Sequence, residues 1–342
     1  MKKRILIIMC CVFLISGSGG FLWIAMEKQT KQGYPSPHSV EFTEPPSTVM
    51  GFEQRYNGSE IYLGDLVNAS QNKWESYLNV YKATYFVSIN TTTALKEAKK
   101  YGVTGNNVTL QYANWIVVSG PEGTVKFAIP TTDTNADAMT PFAVSVECGS
   151  DSHFPGHDFI SDEEAVSIAW NFVNMTVLNT VPHLREHLSL KLEIVGSNNV
   201  TGGPYPTYTV SKVVAFALYY GNYWIGDLIN VWINHTGGVF SYTAPTDFVL
   251  TPESQVYSGT PQELLNYYKT HGINIGKDIN ASEVTKVVIE KIEVSYKPDT
   301  ENQSLKNPFE RYVPYYYLKY TIHGRNGFSK VFYGSLYIKN SS

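Results

Sequence analysis

The strongest constraint on this chain lies at its start. Lys2, Lys3 and Arg4 precede an almost unbroken apolar run over residues 5–26. As a helix the run would be about 33 Å long, enough to cross a hydrocarbon core of about 30 Å. A basic cluster before such a span stays in the cytoplasm, so everything after residue 26 is expected on the far side of a membrane. The competing reading is a cleaved signal peptide, with residues 5–15 as its apolar core and Ser16-Gly17-Ser18-Gly19-Gly20 as its cleavage region. Cleavage there would leave an apolar tail over residues 21–26, and no Ala-x-Ala site is present. A retained single-pass anchor in the cell membrane, contacting lipid, is therefore the expectation. Cys10 and Cys11 read as apolar filler within it.

Beyond the anchor there is chain enough for two or three domains of about 100–150 residues each. The formal net charge is −4 and no block of like charge occurs, which argues against a nucleic-acid partner. Cys148 is the one cysteine past the apolar run, so no disulfide can form within the exported part. Gly149 and Ser150 follow it with no basic neighbour, and it is expected as a buried strand residue. Asn-x-Ser/Thr acceptors occur at Asn57, Asn68, Asn90, Asn107, Asn174, Asn199, Asn234, Asn280, Asn302 and Asn340. Ten of the 24 asparagines carry the motif, more than Ser/Thr frequency alone would give. That pattern, with so few cysteines, fits a glycosylated surface protein of archaeal type. Asn174 falls in an expected helix and is the weakest acceptor.

Residues 27–50 contain Pro35, Pro37, Pro45 and Pro46 without apolar periodicity and read as a stalk. Residues 131–141 and 149–160 read as polar loops. Between them, Thr92 is expected to cap a helix running to Tyr101, where Gly102 ends it. Residues 108–118 read as one strand, Pro121-Glu122-Gly123 as a turn, and residues 124–129 and 142–148 as further strands. Ser161-Asp162-Glu163-Glu164 is a capping box. It opens a helix to about Asn174 with Ala165, Ile168, Ala169, Phe172 and Val173 on one face. Strands follow over residues 188–195, 207–220, 224–234 and 239–242.

The order then recurs. Thr260-Pro261-Gln262-Glu263 is a second box with Pro at the first helical position, Gly272 ends its helix, and strands follow over 284–296, 314–323 and 328–339. In the second of these, Tyr316, Leu318, Tyr320 and Ile322 face one way while Tyr315, Tyr317, Lys319 and Thr321 face the other. Ser161 and Thr260 are 99 residues apart; Gly221 and Gly327, like Asn234 and Asn340, are 106 apart. This predicts an α+β protein of tandem modules, each an antiparallel sheet with a packed helix. The expected domains are an anchor (1–26), a stalk (27–50), an N-terminal α+β module (51–148) and two duplicated modules (149–246 and 247–342), with 78–148 as a diverged third copy.

The helix opening Ser-Asp-Glu-Glu-Ala-Val-Ser-Ile-Ala from Ser161, and the later strand Ile-Asn-Val-Trp-Ile-Asn-His-Thr-Gly-Gly-Val from Ile229, resemble a PepSY-type module. Tandem modules behind one N-terminal anchor resemble the YycH/YycI-type regulators of membrane sensor kinases. The resemblance covers about residues 78–342. It implies modules that bind or inhibit a protein partner, with no cofactor and no catalytic residue.

Two histidine clusters admit metal chemistry. His183-Leu184-Arg185-Glu186-His187 matches the inverted zincin motif, in which His183 and His187 would ligate zinc and Glu186 would activate its water. Pro182 before it and the strand pattern after it leave room for about one turn, so a polar connector is the simpler reading. His153 and His157, near Asp151 and Cys148, form a second cluster without standard spacing. No Gly-x-Ser-x-Gly elbow, phosphate loop or dinucleotide fingerprint occurs. Tyrosine is abundant at 25 residues, clustered at Tyr219-Tyr220, Tyr223-Trp224 and Tyr315-Tyr316-Tyr317. Most are expected to pack sheets; any binding surface is expected on the outward faces of these strands. The functional expectation is a non-enzymatic protein that binds or regulates a membrane or cell-surface protein. The alternatives are a structural or glycan-binding envelope component and a zinc-dependent hydrolase.

Overall fold

A computed structural model of the protein describes residues 41–44, 54–70, 74–111, 115–129, 141–148, 159–200, 208–299 and 308–339. The expected anchor, most of the stalk, His153, His157, Asn302 and Asn340 lie outside these residues. Among the described residues no helix is long and apolar enough to cross a membrane. The first strands are β1 (Glu41–Thr43), β2 (Arg55–Tyr56), β3 (Ile61–Leu63), β4 (Tyr77–Tyr85), β5 (Asn107–Gln111), β6 (Trp115–Gly120), β7 (Gly123–Ala128) and β8 (Ala143–Glu147). Then come β9 (Leu188–Val200), β10 (Tyr208–Tyr220), β11 (Tyr223–Ile233), β12 (Val239–Pro245), β13 (Phe248–Tyr257), β14 (Ile273–Asn274), β15 (Val284–Pro298), β16 (Arg311–Gly324) and β17 (Ser329–Lys339). The helices are α1 (Asp65–Ser70), α2 (Thr91–Ala98), α3 (Asp162–Phe172), α4 (Pro182–His187) and α5 (Pro261–His271). The architecture is α+β and mostly sheet.

The helices begin where side chains can satisfy the free amides of a first turn. Thr260 accepts from the amide of Glu263 at 3.1 Å, and Glu263 accepts from the amide of Thr260 at 2.7 Å, so α5 has the full box. Ser161 accepts from Glu164 at 3.1 Å, the outward half of its box. The first helix differs from expectation. Asn90, not Thr92, caps α2, accepting from the amides of Thr92 and Thr93 at 3.0 and 2.8 Å while Thr93 Oγ1 accepts from the amide of Asn90. Asn is the better cap because its carbonyl reaches two amides at once. The helix tightens into a 3₁₀ turn, Lys99–Tyr101, and stops at Gly102. Nor does α3 end at Asn174; a π-helical turn, Val173–Val177, and one short turn, Leu178–Thr180, extend it.

Two expectations about strands are corrected. Residues 108–118 are not one strand but the hairpin β5–β6, in which Leu110 pairs with Ile116 and Gln111 with Trp115. Apolar residues run up to the reversal on both sides without Gly or Pro to mark it. The strands β4 and β13, absent from the sequence reading, form a long antiparallel ribbon from Tyr77↔Tyr257 to Tyr85↔Phe248.

The described residues form one unit, Val40–Lys339, with two hydrophobic cores. The first lies under α2, α3 and α4. It contains Ala94, Ala98, Ala165, Ala169, Val173 and Leu184 against Ile116, Phe127, Val144, Phe216, Ile229 and Val231. Because β8 pairs β12 along Ala143–Glu147, the sheet runs across the boundary expected at 148/149, and residues on both sides share this core. The second core lies under α5, where Leu264, Leu265 and Tyr268 meet Val287, Ile289, Tyr316, Leu318 and Ile322. Here the alternation read from the sequence holds in part: Tyr316, Leu318 and Ile322 are fully buried and Tyr317 and Lys319 on the other face are half-buried, but Tyr315 and Thr321 on that face are buried as well.

The cores meet along few strand contacts. The β4–β13 ribbon contributes Ala83, Phe248 and Leu250 to one core and Leu78, Val80 and Val256 to the other. β11 touches β15 in parallel at one register position, Trp224↔Ser295. Gly226 permits this approach: its φ is +74°, and a Cβ there would lie 3.1 Å from the carbonyl oxygen of Tyr296. Past that point β11 turns its edge to β12, and β15 pairs with β3 at Val287, Val288 and Ile289. Within one continuous sheet, the strands over the two cores diverge beyond this bridge and beyond the pairing of β4 with β16 at Lys82↔Arg311 and Tyr81↔Tyr312.

Candidate functional site

A cleft of about 860 Å³ opens where these strands diverge. One side is β15, from Lys291 to Ser295. The facing side is the β9–β10 ribbon with Lys191, Glu193 and Tyr219, continued by Tyr223 and Trp224 at the start of β11. Tyr317 of β16 and Tyr333 of β17 extend one wall, and Trp74, Glu75 and Leu78 close one end. Its size falls in the range of about 300–1,000 Å³ usual for small-ligand sites.

The outward strand faces supply its aromatics. Tyr317 and Tyr333 stack, with centroids 5.7 Å apart and planes at 15°, and Tyr333 keeps 59% of its surface exposed. Trp224 meets Tyr317 edge-on at 5.9 Å. The ammonium of Lys191 lies 3.7 Å above the ring of Tyr219, a cation–π contact. Tyr223 donates to both oxygens of Glu75 at 2.8 Å.

The polar groups come in repeated pairs. β9, after α3, reads Lys191-Leu-Glu193-Ile, and β15, the first long strand after α5, reads Lys291-Ile-Glu293-Val, 100 residues later. Both pairs line the same cleft. Each lies beside a β-bulge: Glu193 is the residue skipped between the pairs Ala215↔Ile194 and Phe216↔Leu192, and Glu290 is skipped between Ile289 and Lys291. A bulge re-aims the side chains around it. Lys291 and Glu293 bond each other at 2.6 Å. Glu193 has no ion pair among the described residues; its field falls on Tyr219 and Tyr317. Burial, followed by those carboxylates, raises the pKa of Tyr219, and burial followed by Tyr333 and the same carboxylates raises that of Tyr317. Both phenols are protonated at neutral pH and available as donors. The indole Nε1–H of Trp224 is shielded from solvent and has no hydrogen-bond partner among the described residues. Such a donor costs about 1–3 kcal/mol until something accepts from it.

Of the residues singled out by sequence, Tyr219, Tyr223, Trp224 and Tyr317 meet in this cleft. Tyr220 instead donates to the carbonyl of Leu250, and Tyr316 is in the core, donating to the carbonyl of Ser258. The two Lys-x-Glu pairs went unread; the offset near 100 was the signal that could have found them.

The histidine motif has a different setting. His183 and His187 both lie on α4, which is one short helix. Asp247, 5% exposed at the start of β13, accepts from the amides of His183 and Leu184 at 3.0 and 3.1 Å and meets His183 Nδ1 at 2.6 Å. Phe86 stacks on the His183 ring at 3.6 Å. His187 faces Tyr220, with centroids 5.4 Å apart, and Glu186 is exposed. Among the described residues no group of three His, Cys, Asp or Glu is placed to hold a metal ion. Cys148 is exposed, not buried; it sits just past the end of β8, and partial desolvation raises its thiol pKa.

The glycan acceptors divide by what holds their amides. Asn57, Asn107, Asn199 and Asn280 are exposed. Asn234 and Asn280 accept from the amide and hydroxyl of their own Thr236 and Ser282, which leaves the nitrogen for modification. Asn68 and Asn174 donate that nitrogen to the carbonyls of Leu63 and Trp170. Asn90 is the cap of α2.

No protein-family model and no curated protein matches the sequence. Among solved structures, the chain is similar to an uncharacterized protein from Eubacterium rectale ATCC 33656, at 13% identity and a TM-score of 0.39, over 76% of this chain and 84% of that one.

Proposed function

We propose that this chain is a non-enzymatic binding protein, tethered outside a membrane by residues 1–26, that binds or regulates a membrane or cell-surface protein. Its duplicated parts are read as tandem PepSY-like modules, α3–β9–β10–β11 and α5–β15–β16–β17, each a capped helix followed by three antiparallel strands. The observation that carries the reading is the cleft between them, where two Lys-x-Glu pairs converge beside a shielded, unpartnered tryptophan N–H. Convergent polar groups among aromatics suit recognition. The reading assigns no catalytic residue and no cofactor.

The test is light crosslinking of C-terminally tagged full-length protein in its native host, with Trp224→Ala as the comparison. One dominant membrane or surface partner, recovered with the wild type and depleted with the variant, is the expected result. An identical set of co-purifying molecules from both overturns the reading.

A further inference from the structure

Resting on that reading, we propose that the group received by the cleft is a saccharide chain: a short oligosaccharide segment lies against Tyr317, Tyr333 and Trp224 and bonds to Glu193 and Tyr219.

A sugar ring has two kinds of surface. Its C–H faces are apolar and lie flat on aromatic rings, and its rim of hydroxyls both donates and accepts. The cleft offers the complement of each. Tyr317 and Tyr333 form a stacked platform with one ring largely exposed. Around it stand two protonated phenols that donate and accept, and a carboxylate that can only accept. Few other ligand chemistries use all of these. A phosphate or other strong anion would meet Glu75, Glu193 and Glu293. A cation would meet Lys191 and Lys291, and Glu293 is already neutralised by Lys291. A peptide adding as a strand bonds mainly through its backbone to a strand edge, whereas the convergent groups here belong to side chains. Envelope polysaccharide and the glycans of a surface protein share this chemistry, and the experiment separates them.

The experiment uses full-length protein in a detergent without a sugar head group. Cellohexaose, chitohexaose and mannohexaose are titrated against intrinsic tryptophan fluorescence. The expected result is saturable binding of at least one, weakened tenfold or more by Glu193→Gln and by Tyr317→Ala, with the thermal midpoint of Glu193→Gln unchanged. Trp224→Phe, which keeps an aromatic face and removes only the shielded N–H, is expected to leave binding within about twofold. The same protein is then offered soluble host envelope polysaccharide and purified host surface glycoprotein, before and after chemical deglycosylation. Binding to the first assigns the polymer; binding to the second that is lost on deglycosylation assigns a protein-borne glycan. No saturation by any hexasaccharide up to about 10 mM, an affinity of less than about 3 kcal/mol, overturns the inference. Binding of extended hexapeptides in place of sugars, sensitive to Tyr317→Ala, also overturns it while leaving the cleft as the site of the proposed function. Binding unchanged in both Glu193→Gln and Tyr317→Ala removes the cleft itself.

Discussion

Asp247→Ala tests whether the His-x-x-Glu-His segment is structural. Asp247 lies 60 residues beyond the end of α4, yet it does the work of that helix's missing cap, since Val181 at the cap position has no side chain that can accept. Removing the carboxylate strands two amides, of His183 and Leu184, in a site where Leu184 is fully buried. Loss of a cap costs about 0.5–2 kcal/mol. The charge-assisted contact to His183 adds about 1.5–3 kcal/mol, reduced because the imidazole is half exposed. The expected loss is about 3 kcal/mol. Asp247→Asn keeps an acceptor for both amides and should lose about 1–2 kcal/mol. His183→Ala leaves the cap intact and should lose about 1 kcal/mol or less. Urea unfolding followed by fluorescence reads all three as midpoint shifts at constant slope. Equal losses for Asp247→Ala and His183→Ala would refute the argument, because the amides would then contribute nothing. A metal-dependent midpoint abolished by His183→Ala would restore the zinc reading.

Gly123→Ala should destabilise by about 3 kcal/mol, because its φ is +146° and a Cβ would lie 2.0 Å from the carbonyl oxygen of Glu147. Gly327→Ala, at φ +74° with open space around it, should cost only about 1 kcal/mol, and thermal midpoints distinguish the two. Burial pushes Tyr315 up to about 12 and raises Tyr101, Tyr242, Tyr268, Tyr296 and Tyr316 as well. A folded-state pKa above the unfolded 10.0 favours the neutral form, so this stability is complete below pH 10 and is lost as pH rises through the folded values. Phenolate absorbance and loss of circular dichroism should therefore appear together above about pH 10, and independent titration of all tyrosines near pH 10 in a still-folded chain would contradict this. Glycopeptide mass spectrometry of protein from its native host should find Asn57 and Asn280 occupied and Asn174 bare; an occupied Asn174 would contradict the bond to Trp170.

The parts of this fold legible in the sequence are those decided within a few residues. Ser161 and Thr260 reach amides three positions on, Gly102 and Gly272 end their helices, and the inward face of Tyr316, Leu318, Tyr320 and Ile322 is where it was expected because it is a core. The failures have a common cause. β4 and β13 are partners about 170 residues apart, and each carries polar residues that weaken its own pattern, Asn79 and Lys82 in one and Pro252-Glu253-Ser254 in the other. Ser254 resumes the pairing after a bulge at Glu253, and no local signal marks that. The carboxylate that caps α4 is likewise remote in sequence. The cleft was half legible: outward faces of Tyr219, Trp224 and Tyr317 were expected to matter, but their meeting depends on one parallel bridge, Trp224↔Ser295, that no single segment encodes.

That bridge also explains how two similar tripeptides come to play different parts in one site. Lys191-x-Glu193 and Lys291-x-Glu293 share a sequence pattern but not their surroundings. β15 is flanked by β16 along its length, with Glu293 opposite Tyr317, and there Lys291 and Glu293 satisfy each other. Among the described residues β9 pairs with β10 alone and is an edge strand. Its bulge throws Glu193 towards the cleft while Lys191 is drawn onto the ring of Tyr219. One copy is thus self-neutralised and forms a wall; the other leaves a carboxylate to be satisfied from outside. Glu293→Gln should accordingly change ligand binding far less than Glu193→Gln. Equal effects would mean that the Lys291–Glu293 pair opens on binding, and the free carboxylate of the edge strand would lose its special role.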